Sequence, residues 1–250
     1  MESKKTYFIG DIHLGAPYID DPKAHERKIV SWLDSIAGSA RTLYILGDAL
    51  DYWYEYRYVV PKGNIRFFGA LARLADAGVK IKWIKGNHDI WIFGYLQQEL
   101  GIEVFDHRVV DTIDGKRFYI AHGDIDGEPR PSYRRMLRLF RSPLAQRLFS
   151  AIHPGLTVPF ARRWSAHSRM HGAEAGEILQ TEDPLVRFAE NYNSHNALVD
   201  YFVFGHRHIL ASLPVPPSSQ LFVIGDAFRL FTYGEYDGTA FQIKEINTDI

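Results

Sequence analysis

The chain has no cysteine among its 250 residues. This excludes a disulfide scaffold, a thiolate zinc site and a cysteine nucleophile, and it sets a reducing, cytoplasmic compartment as the expectation. Long hydrophobic runs are also absent. The first apolar stretch, Tyr7-Phe8-Ile9, is far too brief for a signal-peptide core or a membrane span. With 20 Gly, 12 Pro and no repeat of fixed period, collagen-like, low-complexity and solenoid architectures fall away too. What remains, 46% hydrophobic and 24% charged residues, is an ordinary globular composition, long enough for one sizeable core with an insertion.

The most informative absence is local. From Arg130 to Ala173 there are nine Arg but no Lys, Asp or Glu. That segment carries +9, and since the chain totals −1 the remainder carries −10. Such a split points to a place where something anionic is held against an otherwise acidic body.

On either side of this segment the pattern is α/β. Short β-rich runs, Thr6 to Ile9, Thr42 to Leu46 and Val79 to Ile84, each end in a polar, Gly-containing turn. Between them apolar spacing predicts helices over Pro22 to Ala37 and Asn64 to Ala77. Asp114-Gly115 predicts a hairpin between Arg108 to Ile113 and Lys116 to Ala121. A helix over Pro184 to Asn193 and strands at Tyr201 to Phe204, Leu221 to Ile224 and Thr239 to Ile243 follow. Strands on both sides of a helical insertion predict one α/β domain carrying a cap.

The chemistry-bearing residues fall just past the strand ends: Asp11 and His13 in Gly10-Asp11-Ile12-His13, Asp48 in Gly47-Asp48-Ala49-Leu50-Asp51, Asn87 and His88 in Gly86-Asn87-His88-Asp89, His122 in His122-Gly123-Asp124, and His206 and His208 in Gly205-His206-Arg207-His208. Residues two apart in an extended segment point the same way, so Asp11 and His13, or His206 and His208, can approach one centre. The neighbouring glycines allow sharp turns. Imidazole nitrogens with carboxylate oxygens suit Mn²⁺, Fe or Zn²⁺. Two such ions about 3.5–4 Å apart clamp a phosphate and lower the pKa of a bound water, with no Ser or Cys nucleophile needed. An isolated His or Asp in a loop is ordinarily a surface residue or a cap. Joint spacing overturns that for Asp11, His13, Asp48, Asn87, His122, His206 and His208, but not for His25, His107, His153, His195 or Asp106. Asp51, Asp89 and Asp124 are candidates for orienting the metal-binding side chains, and Asp226 is read as structural.

These five motifs, in this order from residue 10 to residue 208, resemble the calcineurin-like metallophosphoesterase superfamily. The resemblance implies a four-layer α/β/β/α sandwich, with residues 1–128 and 174–250 as the core and 129–173 as an inserted Arg-rich helical cap. It implies a first metal on Asp11, His13 and His208, a second on Asn87, His122 and His206, and Asp48 bridging. Catalysis would rest on Asp48, Asn87 and His88, the last stabilising phosphoryl charge or protonating the leaving oxygen. Arg207 is a further phosphate partner.

Within the insertion, Tyr133, Met136, Leu137, Phe140, Leu144, Leu148 and Ile152 follow helical spacing, with Arg134, Arg138 and Arg141 on another face. Val158, Phe160 and Trp164 follow with Arg162 and Arg163. An apolar stripe edged by Arg suits acyl chains and phosphates, or an anionic membrane surface. A helix hairpin with solvated Arg is the plainer reading, against which stands the lack of acidic partners. With the opening Gly10-Asp11-Ile12-His13-Leu14-Gly15 and this cap, the chain looks like the UDP-2,3-diacylglucosamine hydrolases of lipid A biosynthesis. Its closing Gly225-Asp226-Ala227, Thr232-Tyr233 and Asp237-Gly238 are similar to their Bacteroidetes-type branch. That resemblance implies Mn²⁺-dependent hydrolysis of the lipid-linked sugar nucleotide to UMP and 2,3-diacylglucosamine 1-phosphate. It also implies peripheral association with the cytoplasmic face of the inner membrane and substrate contacts from Asn87, His88, Tyr133, Arg134, Arg163, Ser168 and Arg169. Better-known proteobacterial members carry Arg where this chain has His88.

Two rivals are a metallophosphoesterase acting on a soluble phosphoester or nucleic acid, and a non-catalytic binding module on the same fold. Nucleic acid calls for a basic groove lined with stacking aromatics, whereas the stripe here is aliphatic. A binding module should have lost ligands, and none of the seven is missing. Tyr52-Trp53-Tyr54 suits either the nucleotide end of a site or an aromatic core cluster. The sequence leaves the oligomeric state open.

Overall fold

The computed structural model describes residues 4–127, 129–161, 163 and 183–247. One sheet of six strands runs in the order β11 (Phe241–Glu245), β10 (Thr232–Tyr236), β1 (Lys5–Ile9), β2 (Ala40–Ile45), β3 (Lys80–Ile84), β4 (Glu103–Phe105). The other, of five, runs β5 (Arg108–Ile113), β6 (Lys116–Ala121), β7 (Tyr201–Phe204), β9 (Ser219–Ile224), β8 (Leu210–Val215). The pairs β1–β2, β2–β3 and β3–β4 are parallel, as are β6–β7 and β7–β9, whereas β1–β10, β10–β11, β5–β6 and β8–β9 are antiparallel.

The layering follows from side-chain alternation along strands buried on both faces. Tyr7 and Ile9, like Leu43 and Ile45, enter a core shared with α1 (Pro22–Ile36) and α2 (Ile65–Asp76). Phe8, Tyr44, Phe118, Ile120, Val203, Phe222 and Ile224 form the layer between the sheets. Tyr119, Ala121, Phe202, Phe204, Leu221 and Val223 face α7 (Pro184–His195) through Leu185, Val186 and Ala189. Helix, sheet, sheet and helix are therefore stacked in four layers, as expected from the sequence.

Caps set the helix starts. Asp21 accepts from Lys23 N and Ala24 N at 3.0 and 2.9 Å ahead of Pro22 in α1, and Asp183 accepts from Leu185 N at 2.9 Å ahead of Pro184 in α7. At α2 the expected local cap is missing: Asn64 has φ 54° and caps nothing, and the buried Glu26 of α1 accepts from Arg66 N and Phe67 N instead. Three strands escape the sequence pattern. β4 is only three residues long, β8 carries Pro214 on an edge, and β10 contains Gly234, where a β-carbon would meet the Phe241 ring at 2.5 Å. The last strand starts two residues later than the sequence suggests, because Asp237 Oδ1 accepts from Thr239 N and Ala240 N and holds them in a turn.

Between β6 and α7 the described residues form further helices. The α3 helix itself (Tyr95–Leu100) packs in the core, while α4 (Pro131–Phe140), α5 (Pro143–Ser150) and a helical stretch over 154–161 (α6) belong to the insertion. The stripe from Tyr133 to Ile152 is thus not one helix. Pro143 forces Ser142 into an extended conformation, φ −68° and ψ 123°, and breaks it. Leu144, Leu148 and Ile152 are exposed, and Leu137 is the buried residue of α4. Aromatic contacts anchor the insertion: Phe149 stacks on Trp91 with centroids 5.2 Å apart, Trp91 Nε1 donates to Phe140 O, and Tyr54 OH donates to Gln146 O. Among Tyr52, Trp53 and Tyr54, therefore, Tyr54 holds the cap and Trp53 is core.

Candidate metal centre

Six parallel strands, β1, β2 and β3 of one sheet and β6, β7 and β9 of the other, end in turns that carry Asp11, Asp48, Asn87, His122, His206 and Asp226 respectively. The carboxyl ends of parallel strands are where open α/β sheets bind ligands. Hydrogen bonds stitch these turns together: Asp11 N donates to Gly47 O (3.0 Å), Gly205 N to His122 O (3.0 Å) and Ala227 N to Asp11 O (3.1 Å).

Gly47 (φ 81°) and Gly123 (φ 105°) make the sharp turns expected of them, but they are not alone in that conformation. Left-handed backbone falls on Asp11 (φ 50°), His13 (50°), Asp48 (50°), His206 (64°) and His208 (51°) themselves. Such conformations cost about 1–3 kcal/mol each and concentrate at functional sites. Gly86 and Gly205 instead permit close approach, since β-carbons there would stand 2.2 Å from Asp48 Oδ1 and 2.5 Å from Asp11 Oδ2.

Asp11 and Asp48 share one arrangement. Asp11 Oδ2 accepts from His206 N at 2.7 Å, and Asp48 Oδ1 from His88 N at 2.8 Å. Each second oxygen faces inward. Asp11 Oδ1 is buried without a hydrogen-bond partner and lies 3.5 Å from His208 Nε2 and 3.8 Å from His13 Nε2. Asp48 Oδ2 lies 3.8 Å from His13 Nε2 and 3.4 Å from His122 Nε2.

His122 Nδ1 lies 2.7 Å from Leu46 O, which can only accept, so Nδ1 carries the proton and Nε2 offers its lone pair. That Nε2 faces His206 Nδ1 at 3.1 Å and Asn87 Oδ1 at 3.3 Å. Acceptors converging on one another are what a cation requires. Asp11, His13 and His208 form one compact donor group, and Asp48, His122 and His206 another. The sequence spacing placed His206 and His208 toward one centre, whereas here each joins a different group, and Asp48 Oδ2 lies between the two. The donor set of neutral imidazoles, carboxylates and one amide oxygen suits divalent ions.

Burial pushes the His122 imidazole down, but Asp48 and Asp11 outweigh it and raise it well above its usual range, so an ion binding at Nε2 would displace a proton. Burial pushes the Asp11 carboxyl up, but His208, His13 and His122 outweigh it and bring it down to about 2. At Asp48 burial is likewise outweighed, chiefly by His122 and His88, and the carboxyl is held well below its usual range. His206 is driven down to about 4 by burial and by His122. Asp89 is pushed up to about 6 by burial and by Asp48, and it accepts from Gly86 N, Ala49 N and Trp83 Nε1 at 2.7, 3.0 and 3.2 Å, tying two of the turns together.

Around these groups, His88 Nδ1 donates to Asp51 O at 2.9 Å, leaving Nε2 3.9 Å from Asp48 Oδ2. Asp51 Oδ1 lies 3.5 Å from His13 Nδ1. Tyr133 reaches from α4 to donate to Asp124 Oδ2 at 3.1 Å, and burial raises its phenol. Arg134 and Arg163 are exposed, and Arg207 pairs with Asp183 at 3.4 Å. Ser168 and Arg169 lie outside the described residues. His25 donates to Ile12 O, and His107 contacts Arg141.

Sequence reasoning passed over Asp226 and Phe228. Asp226 Oδ2 stands 3.6 Å from His208 Nδ1, and the Phe228 ring lies edge-on to His13 and His208 at 5.5 and 5.4 Å. The signal was available, since Gly225-Asp226-Ala227 after β9 repeats Gly47-Asp48-Ala49 after β2.

The chain belongs to the calcineurin-like phosphoesterase family, whose pattern matches residues 4–210. It is 39% identical to a UDP-2,3-diacylglucosamine hydrolase of Porphyromonas gingivalis over 97% of both chains. It is 27% identical to one of Pseudomonas putida over 95% of this chain and 94% of that one. Among solved structures it is similar to a dimetal phosphatase from Danio rerio, at 12% identity and TM-score 0.47, covering 99% of this chain and 100% of that one.

Proposed function

We propose that this protein is a two-metal hydrolase that cleaves the pyrophosphate of UDP-2,3-diacylglucosamine with water, releasing UMP and 2,3-diacylglucosamine 1-phosphate. The observation that carries this reading is the pair of donor groups meeting at Asp48 Oδ2, in a chain 39% identical over nearly its full length to a hydrolase of that name. Asp11, His13 and His208 hold one ion, Asn87, His122 and His206 the other, and Asp48 bridges. Mn²⁺ is the ion this donor set is assigned. When bound, such a pair supplies charge neutralisation at the phosphate and an acidified water.

The chain's own side chains do the rest. A water oxygen bonds to the nucleotide-side phosphorus, and the bridging oxygen leaves with the acylated sugar phosphate. His88, fixed through Nδ1 to Asp51 O, presents Nε2 to the phosphoryl group and stabilises its charge or protonates the leaving oxygen. Asn87 orients the same phosphate.

Residues 129–173 form the substrate cap in this reading, on a core of 1–128 and 174–250. Leu139, Leu144, Leu148, Leu156 and Phe160 on its helices and Ile152 between them are exposed large apolar side chains, interleaved with Arg134, Arg135, Arg138 and Arg147. That composition supports acyl-chain binding and contact with an anionic lipid surface, with Tyr133, Arg134, Arg163, Ser168 and Arg169 as substrate partners. Among the described residues no helix is long and apolar enough to cross a membrane. The protein then works peripherally, at the cytoplasmic face of the inner membrane.

The test is incubation of purified protein with UDP-2,3-diacylglucosamine and Mn²⁺, with and without chelator, followed by assay of UMP. Chelator-sensitive UMP release is expected. No release, alongside hydrolysis of a soluble diester, would discard the lipid substrate and keep the metal centre.

A further inference from the structure

We infer that Asp226 is a positioning residue for the metal centre: its Oδ2 accepts from the Nδ1–H of His208, keeps the ring proton on that nitrogen and so directs the Nε2 lone pair at the Asp11–His13 group. This rests on the reading of His208 as a metal ligand. A metal-bound imidazole ordinarily donates its other N–H to a carboxylate or carbonyl, which fixes both tautomer and ring orientation.

Asp226 repeats the division of labour seen at Asp11 and Asp48. Its Oδ1 accepts from Arg229 N at 2.7 Å and Leu230 N at 2.8 Å, which fixes the carboxylate in its own turn. Its Oδ2 is buried without a hydrogen bond, as is His208 Nδ1, and the two atoms face each other at 3.6 Å. On the opposite side of that ring, Nε2 lies 3.5 Å from Asp11 Oδ1. Arg229 Nη2 also lies 3.6 Å from Asp226 Oδ2, and that nitrogen donates to His208 O at 2.8 Å, so it braces the same residue from its backbone. The turn is held independently of the metal, by Ala227 N donating to Asp11 O at 3.1 Å and Thr232 Oγ1 to Ile224 O at 2.7 Å. Ligand and backing carboxylate therefore sit on a pre-built frame.

Asp226→Asn separates this role from a structural one. The amide oxygen can keep both backbone contacts of Oδ1, while its NH₂ would face His208 Nδ1 as a donor. That favours the tautomer with the proton on Nε2, the wrong one for a ligand. Chelator-stripped protein should be titrated with Mn²⁺ by calorimetry, with thermal melting of the metal-free form alongside. The expected result is two binding events in the parent and, in Asp226→Asn, one event unchanged and the other weakened about 10- to 100-fold, with the metal-free melting temperature preserved. Asp226→Ser, whose hydroxyl can also accept from Arg229 N, should weaken the same event and provides the reading if the Asn variant does not fold. Unchanged binding of both ions, or equal weakening of both with a lowered metal-free melting temperature, would overturn the inference. His208→Ala marks the other failure: if it too leaves both events intact, the ligand assignment itself falls and takes the inference with it.

Discussion

The backbone of Gly86 passes so close to Asp48 that a β-carbon on Gly86 would stand 2.2 Å from Asp48 Oδ1 and 2.6 Å from Asp48 N. Both neighbours belong to a residue held rigidly in left-handed backbone, so neither can move aside cheaply. Gly86→Ala must displace Asp48 Oδ1, the oxygen that accepts from His88 N, and so shift the whole carboxylate, and misplacement by about 1 Å costs roughly 100-fold in rate. Turnover should fall by that order and Mn²⁺ binding should weaken, whereas Gly38→Ala, with open space around its β-carbon, should leave both unchanged. Equal behaviour of the two variants would mean that the close approach is relieved elsewhere.

Asp48 Oδ2 lies within 3.8 Å of ring nitrogens from both donor groups, those of His13 and His122. Asp48→Ala should abolish turnover and reduce bound metal in the purified protein, measured by elemental analysis. Normal activity with full metal content would remove the bridging assignment.

The site was legible in the sequence because its residues stand in short turns directly after strands, where chain spacing fixes spatial order. The parallel strands other than the three-residue β4 were legible for a related reason: buried on both faces, Tyr44 to Leu46 or Phe202 to Phe204 read as continuous apolar runs. What failed depended on partners distant in sequence. The cap of α2 comes from Glu26, about forty residues earlier. β10 is held by Glu235 accepting from Lys5 and Lys244, around a glycine that propensity assigns to a turn. The helical stripe in the insertion was read through Pro143, because periodicity alone does not register the backbone restriction that proline places on Ser142. Asp226 was read as structural because its turn follows the last of the five motifs, and only the fold shows that the end of β9 bonds to the turn after β1, through Ala227 N and Asp11 O.

The anchoring of the cap is open to test without any substrate. Tyr54 OH donates to Gln146 O at 2.7 Å, and Gln146 Nε2 in turn donates to Phe140 O at 2.8 Å, the carbonyl that Trp91 Nε1 also reaches. Tyr54→Phe removes one of these bonds and keeps the ring, a loss of about 1 kcal/mol. Amide hydrogen exchange in α4 and α5 should accelerate about fivefold while β1, β2 and β7 keep their protection. Trp91→Ala, which also deletes the stack on Phe149, should accelerate exchange there further and depress turnover of the lipid substrate more than that of a small chromogenic diester. Uniform acceleration across sheets and cap would show instead that these aromatics stabilise the whole domain.

Asp126 gives a pH dependence of definite sign. Burial, with Asp124 adding to it, pushes its carboxyl up to about 6, against the opposing hydrogen bond from Tyr119 OH at 2.7 Å. A carboxyl raised on folding means that the folded state binds more protons than the unfolded one between about pH 4 and pH 6. The group's contribution is therefore most favourable below about pH 4 and is lost as pH rises through 6, a penalty of up to about 3 kcal/mol at neutral pH. Asp126→Asn keeps an acceptor for Tyr119 and never ionises. In urea unfolding with chelator present, the variant should be about 2–3 kcal/mol more stable than the parent at pH 7.5, and the gap should close on approaching pH 4. A gap independent of pH would mean that the carboxylate is ionised in both states and that its neighbours neutralise it.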